Sequence, residues 1–74
     1  MKKIEELKKI ANFHWAVTKT RLSTCHFKNG VEKRLWVWLG NNKNPVLIKE
    51  EWVSGDNLEK YFSEWINTNL EYFK

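Results

Sequence analysis

The chain has 74 residues, of which 42% are hydrophobic and 30% charged, and its formal net charge is +4. A chain of this length buries only about 60% of the surface that its unfolded form exposes, so residues 1–74 have room for one hydrophobic core and one domain. The single cysteine, Cys25, excludes an intramolecular disulfide, and the five tryptophans argue against disorder.

The N-terminal sequence predicts neither an export signal nor a membrane anchor. Its basic start is followed by charged residues at positions 5, 6, 8 and 9, so no apolar run of the signal-peptide kind develops. Nowhere does the chain approach the roughly 18 apolar residues of a membrane span. A lone cysteine is typical of a reducing compartment, and we therefore expect a cytoplasmic protein.

The charge is unevenly distributed along the chain. Residues 1–49 carry eleven Lys/Arg against three Glu, whereas residues 50–74 carry two Lys against six Asp/Glu. The first two-thirds of the chain therefore carries a formal charge of +8 and the last third −4. Lysine accounts for eleven of the thirteen basic residues, and asparagine occurs eight times, a bias that AT-rich coding produces and that favours a bacterial or phage origin.

The first predicted element is a helix over residues 3–15. Its apolar residues recur at steps of three and four through good helix formers: Ile4, Leu7, Ala11 and Trp15. This spacing places all four side chains on one helical face, which we expect to lie in the core.

A β-hairpin is predicted to follow. Val17–Phe27 is rich in β-branched residues, and Asn29-Gly30 is the typical centre of a tight type I′ turn. If Lys28 opposes Val31, the second strand is Glu32–Leu39, and the register pairs Leu22 with Val37, Thr24 with Leu35, Ser23 with Trp36 and Arg21 with Trp38.

A third strand and a second helix complete the predicted fold. A polar loop ending at Pro45 precedes the strand Val46–Val53. Asp56 and Glu59 have the spacing of a capping box that opens a helix over residues 57–73. Its apolar face consists of Leu58, Tyr61, Phe62, Trp65, Ile66, Tyr72 and Phe73.

The predicted fold class is therefore α+β, a two-layer α-β-β-β-α sandwich with a three-stranded antiparallel meander and two helices. Double-stranded RNA-binding domains share this order of elements. That family opens its second helix with lysines that contact phosphate, whereas this chain has Asp56-Asn57-Leu58-Glu59 there. The likeness is limited to the order of elements, which does not carry function.

The hairpin register gives the two sheet faces different compositions. One face carries the aliphatic residues Leu22, Leu35, Val37 and Leu39, which suit packing against helices. The other carries Arg21, Ser23, Cys25, Phe27, Arg34, Trp36 and Trp38. If both helices cover the aliphatic face, the aromatic and basic face is open to a partner. If each face receives one helix, the two tryptophans are core residues.

Binding to another protein is the first functional hypothesis. Tryptophan and arginine dominate protein interfaces, and the predicted anchors are Trp36, Trp38, Arg21, Arg34 and Phe27, with the third strand as an edge for pairing. Size and composition are typical of inhibitors and adaptors from phages and mobile elements, for example a protein that blocks a host nuclease or defence complex. Self-association through the same face, giving a homodimer, remains open beside a monomer.

Nucleic-acid binding is the alternative. Aromatic rings on a sheet stack on bases, and nearby lysines contact phosphate. The candidate phosphate contacts are Lys2, Lys3, Lys8, Lys9, Lys19 and Lys43. The lysines of the first helix alternate with Glu5 and Glu6, which is also ordinary patterning for a solvated helix surface.

Catalysis is not expected. Cys25 and His26 are adjacent on a strand and should point to opposite faces, and His14 offers only one further candidate base. Glu50 and Glu51 are likewise neighbours on a predicted strand, so they should not act as a pair. Histidine and cysteine spacing does not match a zinc site, and no glycine-rich phosphate loop is present. We therefore expect no enzyme activity, cofactor or metal.

Overall fold

The structure, a computed structural model, describes residues 3–70 and has the predicted α-β-β-β-α order. The three strands form one antiparallel sheet of order β1-β2-β3, which confirms the α+β fold. The elements are α1 (Lys3–Asn12), β1 (Val17–Phe27), β2 (Gly30–Leu39), β3 (Val46–Lys49) and α2 (Leu58–Leu70). No helix in this range has the length and apolar content needed to cross a membrane.

Helix α1 ends three residues earlier than predicted. After Asn12 the backbone tightens, because the N–H groups of Phe13 and His14 donate to carbonyls three residues back, at 3.2 and 3.0 Å. This change of pitch takes Trp15 off the apolar stripe. The predicted core position of Trp15 is therefore wrong, and its side chain is 84% exposed.

The hairpin register differs from the prediction by two residues. Phe27 pairs with Gly30 and Leu22 with Leu35, so Lys28 and Asn29 form the turn. Among the described residues only glycines have positive φ, so Asn29 does not adopt the left-handed conformation of a type I′ turn. Since side chains alternate with a period of two, a shift of two residues changes the partners but leaves every side chain on its predicted face.

Strand β3 is shorter than predicted and ends at Lys49. A 3-10 turn, Glu50–Trp52, follows, closed by the Val53 N–H donating to the Glu50 carbonyl at 3.1 Å. Val53 is buried, while Trp52 is half exposed. The predicted strand therefore stops where the chain bends to bring Val53 into the core.

Helix α2 begins with an asparagine cap. The Asn57 Oδ1 accepts a hydrogen bond from the Lys60 N–H at 3.1 Å, which satisfies one of the free donors of the first turn. The cap predicted at Asp56 is thus displaced by one residue. Tyr72 and Phe73, which we placed at the end of this helix, lie outside the described residues.

Both helices pack on the same face of the sheet. The core joins Ile4, Leu7 and Ala11 of α1 with Leu35, Val37, Leu39 and Ile48 of the sheet and Leu58, Phe62 and Ile66 of α2. None of the five tryptophans is fully buried. The alternative that makes Trp36 and Trp38 core residues under a second helix is therefore wrong. Neither described helix covers the opposite face of the sheet.

Gly40 closes β2 with a backbone conformation that favours glycine. Its φ is +56°, and its N–H donates to the Ala16 carbonyl at 3.0 Å. A Cβ at this position would meet no atom within 4 Å, so only backbone strain opposes a side chain. We expect Gly40→Ala to lower the free energy of unfolding by about 1–2 kcal/mol, measured by urea denaturation.

Gly40→Asn is the matched control, because asparagine tolerates the left-handed region better than alanine. It should lose less stability than Gly40→Ala. Equal stability of the alanine variant and the original chain would contradict this role of the positive φ.

Candidate functional site: the open face of the sheet

The candidate site is the sheet face turned away from both helices, called the open face here. Direct cross-strand partners share a face, so the register defines its members. It consists of Lys19, Arg21, Ser23, Cys25 and Phe27 of β1, Glu32, Arg34, Trp36 and Trp38 of β2, and Leu47 and Lys49 of β3. None of these side chains is fully buried. All five predicted anchors, Trp36, Trp38, Arg21, Arg34 and Phe27, lie together on this face.

The two tryptophans are fixed by contacts to β1. The Trp36 Nε1–H donates to the Ser23 Oγ at 2.9 Å, across the strand pair. The ammonium group of Lys19 lies 4.9 Å from the centre of the Trp38 ring, within the range of a cation–π contact. Both rings are half-buried and already oriented, so a partner that covers them has little side-chain entropy to remove.

A carboxylate is shared by two cations at the end of the strand pair β2–β3, next to its last pair, Arg34 and Lys49. Arg34 donates from Nε and Nη2 to the Glu32 Oε2, at 3.0 and 2.7 Å, and Lys49 Nζ lies 3.4 Å from the Oε1. The hydrogen bonds from Arg34 hold the pKa of Glu32 below its ordinary value, against the opposing effect of desolvation, and the charges of both cations add to this. The same contact raises the pKa of Arg34.

This ion group predicts an acid-dependent contribution to stability. Because folding lowers the pKa of Glu32, the contribution is present above the pKa of the unfolded chain and is lost as the pH falls through the folded-state value. We expect Glu32→Gln to lower the melting temperature at neutral pH, and the difference from the original chain to vanish by about pH 2.

The control is Glu64→Gln, since Glu64 is exposed on α2 and makes no ion pair within residues 3–70. Its melting temperature should follow that of the original chain at every pH. A Glu32→Gln deficit that persists unchanged in acid would mean that charge is not what this side chain contributes.

The other two cations of the open face, Lys19 and Arg21, are more exposed than Arg34 and Lys49. Arg21 lies directly opposite Trp36, and within residues 3–70 its side chain makes no hydrogen bond, ion pair or ring contact. The guanidinium of Arg34 lies 5.8 Å from the ring centre of Phe27, which is 55% exposed. Four cations thus surround the tryptophans with a single carboxylate among them, and Arg21 is the cation available to a partner.

The predicted phosphate contacts are not brought together. Lys19 is on the open face, whereas Lys3, Lys8 and Lys9 belong to α1 on the opposite side of the sheet. Lys3 Nζ donates to the Gly55 carbonyl at 3.0 Å, and Lys43 lies in the loop between β2 and β3. Lys2 lies outside the described residues. A phosphate backbone that followed these lysines would have to pass around the molecule.

The residues considered for catalysis are also dispersed. Cys25 lies on the open face and His26 on the helix-covered side, while the His14 ring packs edge-on against Phe62 at 5.5 Å. Glu50 and Glu51, predicted on opposite strand faces, instead share the 3-10 turn and line one cleft of about 490 Å³ with Glu32. Within residues 3–70, no group of three His, Cys, Asp or Glu side chains could hold a metal ion.

Sequence reasoning left four members of the open face out of that face: Lys19, which was predicted only as a phosphate contact, and Glu32, Leu47 and Lys49. The strand β3 alternates Val46, Leu47, Ile48 and Lys49, which indicates two faces but not which strand residue each side chain meets. That pairing depends on the path of the six-residue loop before Val46, which no turn signal defines. Glu32 could have been assigned to this face from the sequence, because it stands two residues before Arg34 on the same strand.

Comparison with protein-family models, curated proteins and solved structures finds no significant match to this chain. Function therefore has to be argued from the side chains of the open face.

Proposed function

We propose that the protein acts by binding and not by catalysis, and that its open face docks on an acidic surface of a partner protein. The supporting observation is that two oriented tryptophans lie among four cations and one carboxylate, on a sheet face that neither described helix covers. Tryptophan and arginine are the residues that contribute most to protein interfaces, particularly where the surrounding residues exclude water.

The biological role that we propose is that of a small inhibitor or adaptor of phage or mobile-element type, acting in the cytoplasm on a host protein such as a nuclease or defence complex. The lysine and asparagine bias of the sequence supports such an origin. The substrate-binding surface of a nuclease is basic and would repel this basic face, so the proposed contact lies on an acidic surface of the host protein away from its nucleic-acid site.

Three features favour a protein partner over nucleic acid. Glu32 would bring a negative charge towards phosphate on this face, and it already pairs with Arg34 and Lys49. The lysines of α1 are on the other side of the sheet. Trp36 is half-buried and its indole N–H is held by Ser23, so only part of its ring is free to stack on a base.

Single-stranded nucleic acid remains the second candidate, because Lys19 at Trp38 and Arg21 opposite Trp36 each place a cation beside a ring. Such binding neutralises phosphates and releases counterions, so its affinity falls steeply with salt. A desolvated protein interface depends much less on salt.

The test is affinity capture with the tagged full chain from a bacterial lysate, divided into nuclease-treated and untreated halves. We expect one protein to be retained in both halves and lost from the double variant Trp36→Ala/Trp38→Ala. Lys60→Ala is the control, because Lys60 is exposed on α2 and is not on the open face. Capture that disappears with nuclease would identify a nucleic-acid binder and overturn the proposal.

Self-association through the open face gives a different result in the same experiment. The captured protein would then be the untagged chain itself, and the purified protein would sediment as a dimer that the double variant dissociates. A monomeric sedimentation coefficient is expected.

A further inference from the structure

The most exposed aromatic side chains of the described residues are not on the open face. Phe13 is 91% exposed and Trp15 is 84% exposed, and both belong to the turn between α1 and β1. Single exposed apolar residues are ordinary, but two large rings within three residues form a patch that requires an explanation.

The turn that carries these rings is anchored to the core. The His14 Nδ1 accepts a hydrogen bond from the Ala16 N–H at 3.1 Å. Its imidazole stacks on Trp15, with ring centres 5.5 Å apart, and meets the buried ring of Phe62 edge-on at the same separation. The backbone of this turn and the Trp15 ring are therefore held in place, so a partner would not have to order them on binding.

An open groove of about 480 Å³ lies beside Phe13, between α1 and α2. Ile10, His14 and Phe62 line it together with Phe13, so its surface is apolar and aromatic. Lys9 borders it on the side of α1, and Glu59 on the side of α2. We call this site the aromatic groove. Its volume is in the range of sites that take one or a few side chains.

We infer that the aromatic groove binds an amphipathic helical segment of a partner protein, at a site separate from the open face. Two packed helices with an apolar groove between them are the typical receptor for a third helix. The occupant would place one large apolar side chain against Phe13 and the partly exposed Ile10. The opposite charges of Lys9 and Glu59 call for an acidic residue on one flank of that anchor and a basic residue on the other, which fixes the orientation of the helix.

The size and charge of the groove argue against other occupants. Two aromatic rings expose on the order of 300–500 Å² together, which is below the roughly 800 Å² per partner that a stable dimer buries. Glu59 on the rim would repel a phosphate backbone that Lys9 attracts. A short peptide segment with modest affinity is the occupant that fits both observations.

Selection of a phage-displayed library of random peptides against the immobilised full chain tests this inference. Peptides of about 16 residues allow roughly four helical turns. We expect the enriched sequences to share a large apolar residue flanked by one acidic and one basic residue. The best of them, synthesised and titrated by calorimetry, should bind Phe13→Ala at least about tenfold more weakly than the original chain.

Two further variants make the result specific. Trp36→Ala should bind the peptide with unchanged affinity, because Trp36 is on the open face. Glu59→Lys should weaken binding, and a peptide whose basic flanking residue is replaced by glutamate should recover it. Because Phe13 and Glu59 are both exposed, circular dichroism should show these variants to be folded.

Several outcomes would overturn the inference. These are a failure to enrich any peptide with an apolar anchor, equal affinity of Phe13→Ala and the original chain, and a selected peptide that depends on Trp36. Concentration-dependent dimerisation that Trp15→Ala abolishes would assign the groove to a second copy of the chain instead. Of these results, only a dependence on Trp36 bears on the open face, whose proposed function is tested with its own variants.

Discussion

Replacing Phe62 with alanine is expected to lower the free energy of unfolding by about 3–5 kcal/mol, the largest effect of any single truncation considered. Phe62 has no exposed surface and lies where α2 meets both α1 and the sheet. Its ring stacks on Trp65 at 5.5 Å and contacts His14 edge-on. Alanine would remove these contacts and leave a cavity that the surrounding backbone can fill only in part.

A domain of this size has a total stability of roughly 4–11 kcal/mol, so the loss expected for the Phe62→Ala chain removes from about a quarter to all of that stability. Urea denaturation followed by circular dichroism measures the effect through a lower midpoint. Phe13→Ala is a matched control, since it makes the same chemical change at a side chain that is 91% exposed, and it should remain within about 0.5 kcal/mol of the original chain. A Phe62→Ala loss as small as that of Phe13→Ala would contradict the described core.

Local patterns were sufficient to predict the fold class. The helical spacing of Ile4, Leu7 and Ala11 and the alternation along β1 and β2 each reflect a core-facing side, and the structure has that side where the pattern places it. The predicted register of the hairpin was wrong, but the side chains were still assigned to the correct faces of the sheet. The reason is that the error was two residues, and side chains alternate between the faces with a period of two. An error of one residue would have exchanged the faces.

The features that sequence reasoning missed depend on tertiary packing. The first helix could continue to Trp15 by periodicity alone, but the chain must turn after Asn12 to enter β1. The side on which α2 packs is equally undetermined by its own apolar face, which would fit either face of the sheet. The Glu32 ion group includes Lys49 of β3. That contact can be predicted only if the register between β2 and β3 is already known.

The same reasoning explains why the candidate site was better predicted than its surroundings. Trp36 and Trp38 share a strand, and Arg21 and Phe27 share its hairpin partner, so short-range alternation was enough to group them. The lysines assigned to phosphate came from three elements, and no local pattern indicates that α1 turns its lysines away from the open face. Residues on one hairpin are therefore predictable as a group, whereas residues on different layers are not.

Reversing the charge of Arg21 is expected to weaken binding to the captured partner by roughly 100-fold or more, which corresponds to about 3 kcal/mol. Arg21 is exposed beside Trp36, so in the complex it would meet a carboxylate of the acidic partner, and Arg21→Glu would set two negative charges against each other. Because Arg21 has no contact partner within residues 3–70, the substitution leaves no buried group unpaired, and the melting temperature should change little.

Titration of the purified partner at two salt concentrations measures this effect and separates it from nucleic-acid binding. Arg21→Gln should fall between the original chain and Arg21→Glu, since it removes the attraction without adding repulsion. Lys60→Glu, a charge reversal at an exposed residue of α2, is the control and should leave the affinity unchanged. If Arg21→Glu and Lys60→Glu lose the same small factor and salt removes both losses, binding follows net charge alone, and the tryptophan face is not the interface.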